Sequence, residues 1–510
     1  MICRVLPKCR KYSSILIMNI QVSFLNFYVY VEFNFFFSVE GQNDKVKVGS
    51  RDWIHGFSSL EKYVTSPTDK SISIFLNGTD FMENFDWNTE WKKPVKILHK
   101  GGLGMKMPPP GFDIQDLESF VDDEQTASTI DIYAQEIIEM NLKTFFEKWK
   151  QPSRSELFNV LRWDFSGSLL ADFIEPPEFL HEFSWVDKIW GLRSDDDEYS
   201  NILHPDHESN RLSVSMYCLL GMAGSFVNFH LAFGGSSVWY HVFKGQKIVY
   251  LLPPTKANLK AYIEWIRSCN KDETFMPNLA PHGELKRIVV NEGETILIPS
   301  GWICAVLTPE DSIVFGGNFL HELNIRMQLR IYQIEKKSHV GEDFAFPNFE
   351  LINWYAARMF IKRLTAANEK NQVLPKHLIS GLTALHAALN LWKERTLEDD
   401  NSNHPYFHAV ATQLGDELTE YSSNMDSRDM ASVFPTKPSD SRKKKPKPVI
   451  WINENDDVEA QLESEIIPGL LGITPGGRRP KRKAKNQHKK TSLVYPQAIS
   501  RQVSVPYKPL

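Results

Sequence analysis

The 510 residues carry 42% hydrophobic, 12% aromatic and 24% charged side chains at a net charge of −5, which suits a globular protein and excludes a fibrous, multi-span or wholly disordered chain. The five cysteines, Cys3, Cys9, Cys218, Cys269 and Cys304, include no C-x-x-C pair, so neither a multi-cysteine zinc finger nor a disulfide framework can be built, and the compartment is expected to be reducing. From Lys437 to Leu510 sixteen Lys/Arg face seven Asp/Glu, a local charge of +9 that leaves −14 for everything before it.

Residues 1–42 open with Arg4, Lys8, Arg10 and Lys11 ahead of an apolar run from Ile15 to Val39, in the manner of a signal or anchor. Asn19, Gln21, Asn26, Glu32 and Asn34 interrupt that run. Because a charge at the bilayer centre costs about 3 kcal/mol, a membrane span is disfavoured, and the segment is set outside the fold with its status open. Residues 43–200 read as an N-terminal part packing on the core, with a helical period between Met140 and Trp149 and a break at Glu175-Pro176-Pro177.

The core is expected over 201–340. Two β-rich runs fill Ser237 to Leu252 around a turn at Lys244-Gly245, and three more follow at Thr295–Ile298, Ala305–Leu307 and Ser312–Phe315, punctuated by Gly293, Pro299, Gly301 and Pro309. Strands without an intervening strand-helix-strand period predict an α+β protein around an antiparallel jelly-roll. Over 341–397 a helical region is expected, since Leu378, Leu382, Leu385, Leu389 and Trp392 form one apolar stripe that should pack against a neighbour around Glu350 to Leu364. Residues 398–510 read as a polar, largely disordered basic tail.

Several stretches together carry a family likeness. Asn228-Phe229-His230-Leu231-Ala232-Phe233-Gly234-Gly235, then Trp239-Tyr240-His241 and Lys244-Gly245-Gln246-Lys247, resemble the JmjC oxygenases. So do Pro299-Ser300-Gly301-Trp302-Ile303-Cys304 and Phe315-Gly316-Gly317-Asn318-Phe319-Leu320-His321. The likeness runs from about Lys45 to Trp392 and is closest to the histone lysine demethylases that pair a PHD finger with a JmjC domain. It implies a double-stranded β-helix, cupin-like, with flanking helices and a C-terminal helical segment. It also implies Fe(II), held by a His-x-Asp pair and a distal histidine, and 2-oxoglutarate as cosubstrate.

This sequence departs from the pattern at the metal. A two-histidine, one-carboxylate triad leaves positions open for the keto acid and oxygen. His230 matches the first histidine, but the carboxylate position is Ala232 and the distal histidine position is Cys304. An imidazole with a soft thiol is a poor match for Fe(II). Halogenases of this chemistry tolerate a missing carboxylate, yet they need the second histidine. His241, His282 and His321 are nearby in sequence as ligands to recruit, without a spacing that favours it.

The cosubstrate site reads as half kept. Lys247 matches the family lysine for the far carboxylate of 2-oxoglutarate, and Tyr240 matches an aromatic hydroxyl of that pocket. Val227 stands where the subgroup has a threonine, and Asn228 replaces an acidic residue. A buried, unpaired ammonium at Lys247 would call for an anionic partner, whereas a side chain snorkelling past the turn would not.

No PHD finger is expected within these 510 residues, since their cysteines cannot build one. Arg442-Lys443-Lys444-Lys445-Pro446-Lys447 and Arg478-Arg479-Pro480-Lys481-Arg482-Lys483-Ala484-Lys485 offer nuclear import signals or phosphate-binding arms capable of non-specific nucleic-acid contact. His204-Pro205-Asp206-His207 reads as a surface loop. The expectation is a nuclear, catalytically impaired member that binds histone tails or chromatin complexes; the alternative is an active demethylase with a rebuilt metal site.

Overall fold

The computed structural model describes residues 47–50, 52–53, 72–165, 167–191, 214–281, 284–338, 345–396 and 404–433. Residues 1–42, the His204-Pro205-Asp206-His207 segment, His282 and both basic runs lie outside them. Thirteen strands are seen among the described residues, in two sheets.

The barrel comes from two facing four-strand layers. One layer contains β6 (Tyr217–Gly221), β8 (Ser237–Lys244), β11 (Thr295–Ile298) and β13 (Ser312–Phe319), in the order β11-β8-β13-β6. The other contains β7 (Ser225–His230), β9 (Gln246–Leu252), β10 (Lys286–Asn291) and β12 (Ile303–Thr308), in the order β10-β9-β12-β7. Their facing side chains, among them Val238, Val242, Val249, Leu251, Ile296, Trp302, Cys304 and Val314, pack into one apolar interior. This is the jelly-roll that the strand spacing predicted.

The turn at Lys244-Gly245 is not a hairpin. β8 pairs with β11 and β13, whereas β9 pairs with β10 and β12, so the two runs separated by Gly245 belong to opposite layers. Gly245 makes the corner at φ 78°, and a Cβ there would collide with the Asp311 carbonyl.

The N-terminal part joins the core through its sheet. It extends the larger sheet at both edges, to nine strands. β1 (Ser73–Asn77) and β2 (Val95–His99) continue it beyond β11, and β5 (Phe158–Trp163), β3 (Thr126–Asp131) and β4 (Glu136–Asn141) continue it beyond β6. The predicted helical stretch is a strand end followed by a helix over Leu142–Trp149, capped by the Asn141 side chain.

Behind the barrel, α1 (Lys256–Arg267) covers β9 and β12, placing Leu259, Tyr262 and Trp265 on Tyr250, Leu252 and Ile303. The C-terminal helices are α2 (Ile325–Lys337), α3 (Phe349–Glu369), α4 (Lys376–Thr396) and α5 (His404–Val433). The stripe Leu378, Leu382, Leu385, Leu389 and Trp392 is buried with Ile352, Phe360 and Leu364 of α3, as its period predicted. The boundary at 397 was set too early, because α5 continues the helical region and buries Phe407, Val410, Ala411, Leu414 and Tyr421 in the same core. No helix among the described residues is long and apolar enough to cross a membrane.

Candidate functional site

The first ligand position closes β7. His230 and Cys304 are register partners in the antiparallel β7–β12 ladder, which sets their side chains on one face of the sheet. Ala232 follows two residues on and packs into the same apolar interior as Cys304. The fold thus brings the three residues expected at ligand positions to one end of the barrel.

What those positions offer is a different matter. His230 Nδ1 lies 2.9 Å from the Asn228 carbonyl, and since a carbonyl only accepts, Nδ1 carries the proton and Nε2 keeps the lone pair. The imidazole opens to solvent at the barrel mouth, yet the wall around it still lowers its pKa, burial outweighing the bond to Asn228. Burial pushes the Cys304 thiol up to about 12, which disfavours the thiolate, the form that ligates. Ala232 has no donor atom. Among the described residues no three His, Cys, Asp or Glu side chains are placed to share a metal. The donor set therefore does not fit Fe(II).

The other histidines do not rescue it. His241 Nδ1 bonds the Thr295 hydroxyl at 2.9 Å, and its pKa falls to about 4, first through burial and then through Lys100. His321 Nε2 bonds the Ser237 hydroxyl at 2.7 Å, its Nδ1 accepts from the Leu323 amide, and its ring stacks on Phe183. Burial holds His321 near 3. Both are neutral structural residues rather than recruited ligands.

Lys247 lies at the opposite end of the interior, at the start of β9. Its ammonium donates to the Thr308 hydroxyl at 2.8 Å, and Gly221 leaves it room, since a Cβ at 221 would collide with Nζ. Burial lowers its pKa to about 7, opposed by Asp311. Asp311 is itself clamped by Arg154, whose two terminal nitrogens reach its oxygens at 2.6 and 2.7 Å, and it accepts the Ala223 amide at 2.7 Å. Val227 sits opposite Val306, so the position of the family threonine is apolar on both strands.

Tyr240 opens a buried chain of hydrogen bonds. Its hydroxyl donates to that of Tyr217, which donates to Asn318 Oδ1 at 2.5 Å. Asn318 Nδ2 then donates to the Ser236 hydroxyl, and Ser236 to the Phe233 carbonyl, each at 2.8 Å. Burial pushes Tyr217 up to about 12 and Tyr240 well above the usual phenol range, so the chain of donors is intact at every ordinary pH. It ends on the loop that follows position 232. Tyr217, Asn318, Ser236 and Thr308 were missed by sequence reasoning, because their partners lie far along the chain.

Two side chains brace the same loop from outside. Both oxygens of Glu335 on α2 lie 3.0 Å from the Gly234 amide, and Tyr262 on α1 bonds the Leu231 backbone. Gly234 and Gly235 take φ of 60° each, and α2 lies so close that a Cβ on Gly235 would strike Gln328 and Ile331.

Comparison with known proteins follows the same lines. A JmjC domain (hydroxylase) model matches residues 217–319, which is the barrel from β6 to β13. A Jumonji helical domain model matches residues 323–422, the helices behind it. Histone lysine demethylase PHF8 of Danio rerio is 35% identical over 355 residues, covering 69% of this chain and 32% of that protein. Lysine-specific demethylase 7B of Danio rerio is 37% identical over 341 residues, covering 67% and 56%, and lysine-specific demethylase 7A of Homo sapiens is 32% identical over 364 residues, covering 71% and 37%. The chain spans from about a third to just over half the length of these curated relatives. With barrel, helical appendage and relatives in agreement, the chain belongs to the JmjC-domain histone lysine demethylase family.

Proposed function

We propose that this chain is a nuclear chromatin protein that has kept the JmjC fold and given up its oxygenase chemistry, acting by binding histone tails or chromatin complexes. One observation carries the reading: an alanine and a buried thiol stand at two of the three expected ligand positions while the strands and loop around them keep their hydrogen bonds. An imidazole alone does not hold Fe(II) against water. The relatives named as lysine demethylases supply the chromatin setting.

The cosubstrate pocket is weakened to match. Lys247 already has Thr308 and Asp311 as neighbours, Tyr240 spends its proton on Tyr217, and position 227 has no hydroxyl.

The test is metal content and turnover of the purified full chain. Loaded anaerobically with Fe(II) and 2-oxoglutarate, it is expected to retain no stoichiometric iron, and on exposure to oxygen with a methyl-lysine H3 peptide to release no succinate, while still binding that peptide. Stoichiometric iron with turnover would instead establish the active, rebuilt site. The double substitution Ala232→Asp with Cys304→His is expected to bring metal binding back. If it binds no more metal than the unaltered chain, the defect lies elsewhere.

A further inference from the structure

The nine-stranded sheet ends at β4, and among the described residues no strand lies beyond it. An edge strand leaves alternate N–H and C=O groups without a ladder partner, and proteins usually blunt such an edge with lysine, proline or a bulge. β4 does none of these. It runs in unbroken register with β3, and Ile137 and Ile138 are 43% and 38% exposed on its two faces. Each isoleucine shares its face with a glutamate, Ile138 with Glu136 and Ile137 with Glu139.

The charge of this edge is of one sign. β3 and β4 carry Asp131, Glu136 and Glu139 and no Lys, Arg or His. Asp131 and Glu136 are direct register partners across the β3–β4 ladder, an arrangement that like charges disfavour. Asp131 spends one oxygen on the Tyr133 and Ala134 amides, which supply no neutralising charge.

We propose that β4 is a docking edge for an extended cationic peptide, a segment alternating Lys or Arg with apolar residues, which adds a further antiparallel or parallel strand to the sheet. Backbone pairing supplies the affinity and the alternation supplies the fit. On each face an incoming strand meets one isoleucine and one glutamate, and a lysine beside Glu136 relieves the Asp131–Glu136 repulsion. The same carboxylates select against the other occupants: a second copy would set glutamates against glutamates, and a nucleic acid would bring phosphates to them. The opposite edge, β1, exposes Ile74 at 61% and Leu76 at 59% but carries no charge, so nothing there chooses a partner.

This surface is independent of the barrel and of the reading given above for it. The experiment titrates the full chain with a synthetic peptide alternating lysine and valine, read by fluorescence anisotropy, with amide hydrogen exchange over 136–141 as the structural readout. Saturable binding with protection of those amides is expected. Introducing proline at the centre of the peptide, which removes a ladder donor without touching the protein, should abolish both. Charge reversal with Glu136→Lys and Glu139→Lys should weaken binding about tenfold or more, in line with two lost cross-strand pairs. Equal binding of the proline peptide, or no loss on charge reversal, would overturn the proposal, as would self-association of the chain through this edge or binding of an oligonucleotide in the peptide's place.

Discussion

Lys247 carries a pH signature of its own. Burial lowers its folded pKa to about 7 from the ordinary 10.5, so between those values the unfolded chain binds the extra proton. The sign follows: the burial cost is fully present below about pH 7 and is relieved as pH rises toward 10.5, so this lysine makes stability climb across that window. Lys247→Met is expected to flatten the climb and to raise stability at neutral pH, as measured by denaturant midpoints across the range. The place of His230 at the end of a strand was legible at this scale because a motif surrounds it. The Tyr240–Tyr217–Asn318–Ser236 chain was not, since Tyr217 and Asn318 stand 101 residues apart and neither has a local pattern to announce the contact. Asn318→Leu breaks that chain at its buried centre and should cost about 1–3 kcal/mol, read from thermal or urea unfolding.

Among the elements, α2 and the entry into α3 join the helical appendage to the loop after His230, through Glu335 and through Phe346 and Phe349. Glu335 is raised to about 8 by burial, opposed by the Gly234 amide and Lys336, whereas its ordinary value is 4.5. Here the folded state holds the extra proton between those values, so its contribution is favourable at low pH and is lost as pH rises through 8. Glu335→Gln keeps an oxygen for the Gly234 amide and removes the charge. Its unfolding midpoint is expected to lose less between pH 5 and pH 9 than that of the unaltered chain. The strands were legible as elements because glycine and proline bracket them, but their pairing was not. A turn at Gly245 looks the same in sequence whether it closes a hairpin or carries the chain to the facing layer; the Asp311 backbone packed against it decides.

For the whole molecule, the C-terminal helices are as much part of the core as the barrel. Leu385 is fully buried between α3 and α5, and Leu385→Ala should cost about 2–5 kcal/mol, measured by denaturant titration. A chain stopped before His404 removes Phe407, Val410, Ala411, Leu414 and Tyr421 from that core and is expected to melt at lower temperature and aggregate. The boundary at 397 misled because composition was averaged over a polar stretch, while the buried positions of α5 recur at helical spacing inside it. The antiparallel jelly-roll, in contrast, was legible from closely spaced strands, because closing them into two layers is how such strands bury their apolar faces.

The brace on the Leu231–Gly235 loop has a consequence for descent. Tyr262 and Glu335 grip peptide groups, not ligand side chains, so the curvature of that loop owes nothing to what is bound inside it. Positions 232 and 304 can therefore vary in the course of descent without unmaking the loop that frames them.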